Sequence, residues 1–143
     1  MTVIDPTLPV RETVVADLRA DSELMAMGEP ALSTGNRVYG ERTPGKLTWP
    51  FVSYGQSDFG RTRGVVPIHV FGKGDFTDEV AGIMAAIVAR LADKVLTLPD
   101  GRKLRLTYPE AGGSQILPDG AEANAWHGIV RLDAFIVREC TPA

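Results

Sequence analysis

Reactive side chains are scarce in this sequence. One cysteine, Cys140, and two histidines, His69 and His127, stand among 143 residues. A single cysteine excludes an internal disulfide framework and a cysteine-rich metal site. Two histidines far apart in the chain, with no short-spaced ligand beside either, make a poor transition-metal site. Long apolar runs are missing as well. The longest, residues 80–89, is about half of the roughly 20 residues that a membrane-spanning helix needs. A strong charge of either sign is also absent: 15 Lys and Arg oppose 18 Asp and Glu, a net charge of −3. Nothing in that balance advertises nucleic acid or an anionic membrane as the main partner. The opening Met1-Thr2-Val3-Ile4-Asp5-Pro6 lacks the basic start and apolar core of a secretory signal, so folding in a reducing cytoplasm is expected.

What is present is the make-up of a small globular chain. Hydrophobic residues are 44% and charged residues 23% of the sequence, near the averages for soluble domains. The length suits one unit, and a single domain over residues 1–143 is expected, with flexible ends at about 1–9 and 138–143. Beyond Pro9, Val10, Val14, Val15 and Leu18 fall at helical spacing. Asp21 and Ser22 open a short second turn. Residues 30–50, punctuated by Gly and Pro, read as a long connection with 37–39 extended. Residues 51–56 and 64–71 alternate as strands around a loop at 57–63. Pro67 cannot donate to a ladder, which predicts an edge strand or a bulge. Asp75 is a plausible N-cap, with Asp78 three residues on, for a helix whose Val80, Ile83, Met84, Ile87, Val88 and Leu91 form one apolar stripe. Residues 95–98 and 103–108 flank the turn Pro99-Asp100-Gly101 as a hairpin. Residues 109–124 read as a second connection. The last strand, 126–137, puts Val130, Leu132, Ala134 and Ile136 on one face. The whole predicts an α+β domain: a mostly antiparallel sheet of about six strands packed with two main helices.

Motifs for chemistry fail on inspection. Gly72-Lys73-Gly74-Asp75-Phe76-Thr77 lies between a strand and a helix, but Thr77 stands where a dinucleotide fingerprint needs its third Gly. Asp75, Asp78 and Glu79 would also face the pyrophosphate. No Gly-Lys-Ser/Thr exists for a phosphate loop. Ser114 lacks the Gly two residues later that a nucleophile elbow requires. His69 and His127 fall within strands, where histidine more often packs than acts as a base. No catalytic, cofactor-binding or metal-binding residue is therefore assigned. Phe59-Gly60-Arg61-Thr62-Arg63 is the nearest thing to a basic, aromatic patch, and on a net acidic chain it suits an acidic protein surface better than a duplex. Trp49 and Trp126 each border a loop, as interface anchors do and as residues capping the end of a core do.

The order of these elements resembles a known family. An N-terminal helix is followed by Asn36-Arg37-Val38-Tyr39-Gly40, then Trp49-Pro50-Phe51-Val52-Ser53-Tyr54-Gly55. After these come Ile68-His69-Val70-Phe71-Gly72-Lys73, the long helix, the Pro99-Asp100-Gly101 hairpin and Trp126-His127-Gly128-Ile129-Val130-Arg131-Leu132. The ordered set, from about residue 10 to 137, is similar to the tail-completion (tail terminator or tail-to-head joining) proteins of long-tailed phages and phage-like gene transfer agents. The stretch 111–124 departs from the pattern in being longer and richer in Gly. The resemblance implies a non-enzymatic virion protein at the head-proximal end of the tail, assembled in the host bacterial cytoplasm. It implies a hexameric ring that caps the tail tube, ends its polymerisation and meets the head connector, while DNA passes through without sequence-specific binding. The expected partners are other copies of the chain, the tube protein and the connector or stopper protein, with no membrane and no cofactor. Trp49, Phe59, Arg61, Arg63, Trp126 and Arg131 are the candidate assembly contacts, because a ring joins one patch to a different patch on its neighbour. The alternatives are a head-tail connector or stopper component and a small hydrolase or nucleotide-binding protein using His69 or His127.

Overall fold

A computed structural model describes residues 5–40, 46–110, 112–120 and 124–137; Cys140 lies outside them. Eleven elements follow one another: α1 (Thr7–Arg19), α2 (Ser22–Met25), β1 (Val38–Tyr39), β2 (Phe51–Tyr54), β3 (Asp58–Phe59), β4 (Arg63–Lys73), α3 (Asp78–Leu91), β5 (Val95–Thr97), β6 (Lys103–Thr107), β7 (Ser114–Pro118) and β8 (Ala125–Val137). They make one domain around a mixed sheet in the order β1-β2-β4-β8-β6-β5, with β3 also on β4 and β7 also on β8. Only β1 runs parallel to its neighbour. The expected α+β sheet of about six strands is that central path, and the structure adds the short β3 and β7.

The two long strands are the frame. β4 pairs along its whole length with β8, Arg63 opposite Phe135 and Lys73 opposite Ala125. Each then has two short partners on its far side: β2 and β3 on β4, and β7 and β6 on β8. Pro67 is therefore not in an edge strand. Its carbonyl accepts from the Gly55 N–H, and in an antiparallel strand the N–H and C=O of one residue face the same side. The missing donor thus falls opposite Gly55, one residue past the end of β2, where the ladder keeps the Gly55 N–H bond and gives up only its reciprocal. β7 lies within the stretch expected to be a plain connection.

Alternation sorts the side chains. Val66, Ile68 and Val70 of β4, Leu104 and Leu106 of β6, and Val130, Leu132, Ala134 and Ile136 of β8 join one buried cluster with residues of all three helices. The helices thus cover one face of the sheet. α1 contributes Val10, Val14, Val15 and Leu18, and its first turn is held by Asp5, whose carboxylate accepts from the Thr7 N–H and hydroxyl. It begins at Thr7, ahead of Pro9. α2 is capped by Asp21, which accepts from the Glu23 and Leu24 N–H groups. α3 sets Val80, Ile83, Met84, Ile87 and Leu91 into the core. It starts later than expected: Asp75 does not cap it, and Thr77 is the N-cap. The reason is tertiary. The Gly74 N–H donates to the Asn124 carbonyl and Trp126 Nε1 donates to the Gly74 carbonyl, which holds this turn against the start of β8 and out of the helix.

One buried charge organises the segment before β1. Arg37 is 3% exposed. Its guanidinium donates to the carbonyls of Pro50 (2.9 Å), Pro30 (2.5 Å) and Thr34, so it clasps the loop after α2 to the entry of β2. Arg19 adds a forked bond to the Val38 carbonyl, tying α1 to β1.

Candidate functional site

The other face of the sheet carries no helix among the described residues, and its side chains come from the odd positions of the same strands. Phe51 lies opposite Phe71, and their rings stack at 4.7 Å. Phe71 lies opposite His127, stacked at 4.3 Å. Trp49 meets Phe51 and Phe71 edge-on, at 5.1 and 6.1 Å, and Tyr39 leans on Phe51. The Lys73 ammonium sits 4.9 Å from the Trp49 ring. Such offset and edge contacts add about 0.5–1.5 kcal/mol per pair beyond the area they bury. The result is a half-buried aromatic floor at the β2 end of the face.

The two histidines meet there. His69 and His127 are diagonal neighbours across β4 and β8, and His69 Nδ1 lies 2.6 Å from His127 Nε2. Gly55 makes the position possible, since a Cβ there would come within 2.4 Å of the His69 ring. A neutral imidazole offers one donor and one acceptor, so a neutral pair satisfies this bond, whereas two imidazolium rings would oppose N–H to N–H. Burial pushes the His69 pKa below its ordinary value, and the charges of His127 and Arg131 act in the same direction. Burial lowers His127 too, with Asp119 opposing.

Toward β6 the face becomes basic. The Arg63 guanidinium lies 5.3 Å over the Phe135 ring, and Arg105 flanks Phe135 from the other side. Arg131 stands opposite Pro67, and Lys103 opposite Val137. Asp58, opposite Val65, Asp133, and Asp119, beside His127, are the acidic residues on this face among the described residues. A cavity of about 390 Å³ opens between Asp58, Arg63 and Phe135.

Of the six candidate contacts, Trp49, Arg63 and Arg131 share this face. Arg61 is exposed in the turn between β3 and β4. Phe59 lies on the other face: its ring covers Gly64 and packs against the core. Trp126 also packs against the core from the helix side, bonded to Gly74. The histidine pair, Phe51 and Phe71 were not singled out as contacts in the sequence, although each holds an odd position in an alternating strand. Their proximity depends on β4 and β8 being neighbours, which spacing along the chain does not reveal.

The described residues thus form one α+β domain whose second sheet face is aromatic at one end and cationic at the other. The chain belongs to the family of tail completion protein gp17, whose model matches residues 12–137. It is accordingly a structural protein of a phage-type tail and a virion component. Among solved structures, it is similar to a chain in the virion of a native gene transfer agent particle. That chain shares 21% identity, with 89% of this chain and 93% of the other covered and a TM-score of 0.72. A second solved chain shares 16% identity with a TM-score of 0.57, covering 93% of this chain and 96% of its own length. Both likenesses concern the fold. No curated protein matches the sequence.

Proposed function

We propose that the protein acts by assembly: it forms a ring that caps the finished tail tube, stops its growth and joins the tail to the head connector. The observation that carries this reading is the family match across nearly the whole chain. The bare sheet face supports it, since a subunit of a closed ring has to offer its neighbour a patch distinct from the one it receives. We read the role as non-catalytic. The histidines bond to each other instead of priming a nucleophile, and their lowered pKa values keep them neutral at physiological pH. DNA passes through the ring as cargo, and Trp49, Arg63 and Arg131 serve protein contacts.

Light scattering and negative-stain imaging of the purified full chain, alone and mixed with tail tubes lacking their terminal cap, test the proposal. Rings of about six subunits, seated at one tube end, are expected. A strictly monomeric chain that leaves tube ends bare and growing would overturn it.

A further inference from the structure

The two layers of the subunit carry opposite charge. On the bare sheet face, five basic side chains stand against three acidic ones, a balance of +2 among the described residues. The helix layer is the reverse. Residues 5–40 hold six acidic and three basic side chains, and residues 75–94 hold four and two, a balance of −5. Glu12 on α1, Glu23 on α2 and Asp75 and Asp78 before and at the start of α3 are all exposed. The net charge of −3 conceals this division.

From it we infer that the bare sheet face of one copy docks against the helix layer of the next, face to back. The occupant of the sheet face is a second copy of this chain, and the contact is heterologous, as a ring requires. The inference rests on the reading that the protein assembles with itself. Charge complementarity selects the partner surface and its orientation, because two sheet faces or two helix layers brought together would repel. Arg63 is pre-set for this role. Stacked on Phe135, its guanidinium is already ordered before docking, which lowers the side-chain entropy lost on binding. Arg131 projects from the same strand as Phe135 and is exposed. Glu12 and Glu23 are exposed on adjacent helices whose Val14 and Leu24 are buried. Attraction between exposed charges is screened over about 8 Å at physiological salt, so the contact is salt-sensitive.

Two double reversals and their mixture test it. One variant carries Arg63→Glu and Arg131→Glu, the other Glu12→Lys and Glu23→Lys. All four positions are exposed, and circular dichroism melts check that both variants remain folded. Each variant alone is expected to lose assembly at low salt by light scattering, at least tenfold in the concentration required. The equimolar mixture is expected to recover it, because the glutamates placed on the sheet face of the first now meet the lysines placed on the helix layer of the second, while the arginines of the second meet the glutamates of the first. Loss in each variant without recovery in the mixture overturns the face-to-back pairing. So does assembly of either variant at wild-type concentrations, and in both cases the ring reading stands. A wild-type chain that stays monomeric from low to physiological salt overturns both.

Discussion

At the scale of the residue, the histidine pair is the feature with the clearest solution signature. Both imidazoles are held neutral below their ordinary value of 6.5, so between the folded and ordinary values the unfolded chain binds more protons. Stability therefore rises with pH through that window. The contribution is complete above about 6.5 and is lost as pH falls through the folded values. The melting temperature is expected to drop between pH 7 and pH 5, and a His69→Gln, His127→Gln variant is expected to show a shallower drop. Equal slopes in the two proteins would contradict the assignment. Arg37 makes a different kind of claim. Its buried guanidinium makes three charge-assisted bonds, one of them to the carbonyl of buried Pro50, so Arg37→Ala is expected to cost about 2–4 kcal/mol. A urea midpoint unchanged from wild type would show that the clasp is not needed.

At the scale of the element, the close seat of α3 on the sheet is the critical contact. Gly128 on β8 faces the helix, and a Cβ there would come within 2.4 Å of Met84 Sδ and 2.8 Å of Val80 Cγ1. The Met84 thioether can swing away; the β-branched Val80 has little freedom to do so. Gly128→Val is expected to lift the first turn of α3 and to destabilise the domain by about 1–3 kcal/mol through overpacking. Chemical denaturation measures the loss, and amide exchange should locate it in the first half of α3. Protection lost uniformly across the molecule would argue against a local seat. The same element shows what the chain alone leaves open. The apolar stripe from Val80 to Leu91 marks the helix, since 3.6-residue spacing is a local property. Its start does not follow from local signals: Asp75 has the right chemistry for a cap, but the Gly74 and Trp126 bonds hold the turn elsewhere. Pro67 misleads in the same way, because the place that accommodates it is set by where β2 ends, not by β4 itself.

At the scale of the whole molecule, the proposed ring, built on layers of opposite charge, would have a measurable consequence for function. Raising salt is expected to dissociate free rings more readily than rings already seated on tail tubes, because the tube adds contacts independent of the subunit interface. Sedimentation of tube-bound and free protein across a salt series reads this directly. Equal salt sensitivity of both forms would mean that the tube adds no stabilising contact, against the capping role. Net charge is a poor guide at this scale. A chain of −3 looks unsuited to a cationic surface, yet the fold gathers Arg63, Arg105 and Arg131 on one face and leaves ten of the 18 acids in the two helical stretches, 5–40 and 75–94.

The sequence by itself determined the class of the fold, most of its elements and the family, because periodicity, turn residues and the order of motifs are written along the chain. It also determined that each long strand has a buried face, since a period of two is local. The tertiary structure alone decided which strands are neighbours, and with that everything that depends on proximity. His69 bonds to His127, Phe71 stacks between Phe51 and His127, Arg63 lies on Phe135, and Phe59 and Trp126 turn to the core. Those outcomes follow from long-range strand pairing, where the free energy comes from burial shared by residues far apart in sequence. No local pattern encodes the partner of a strand, only that it has one.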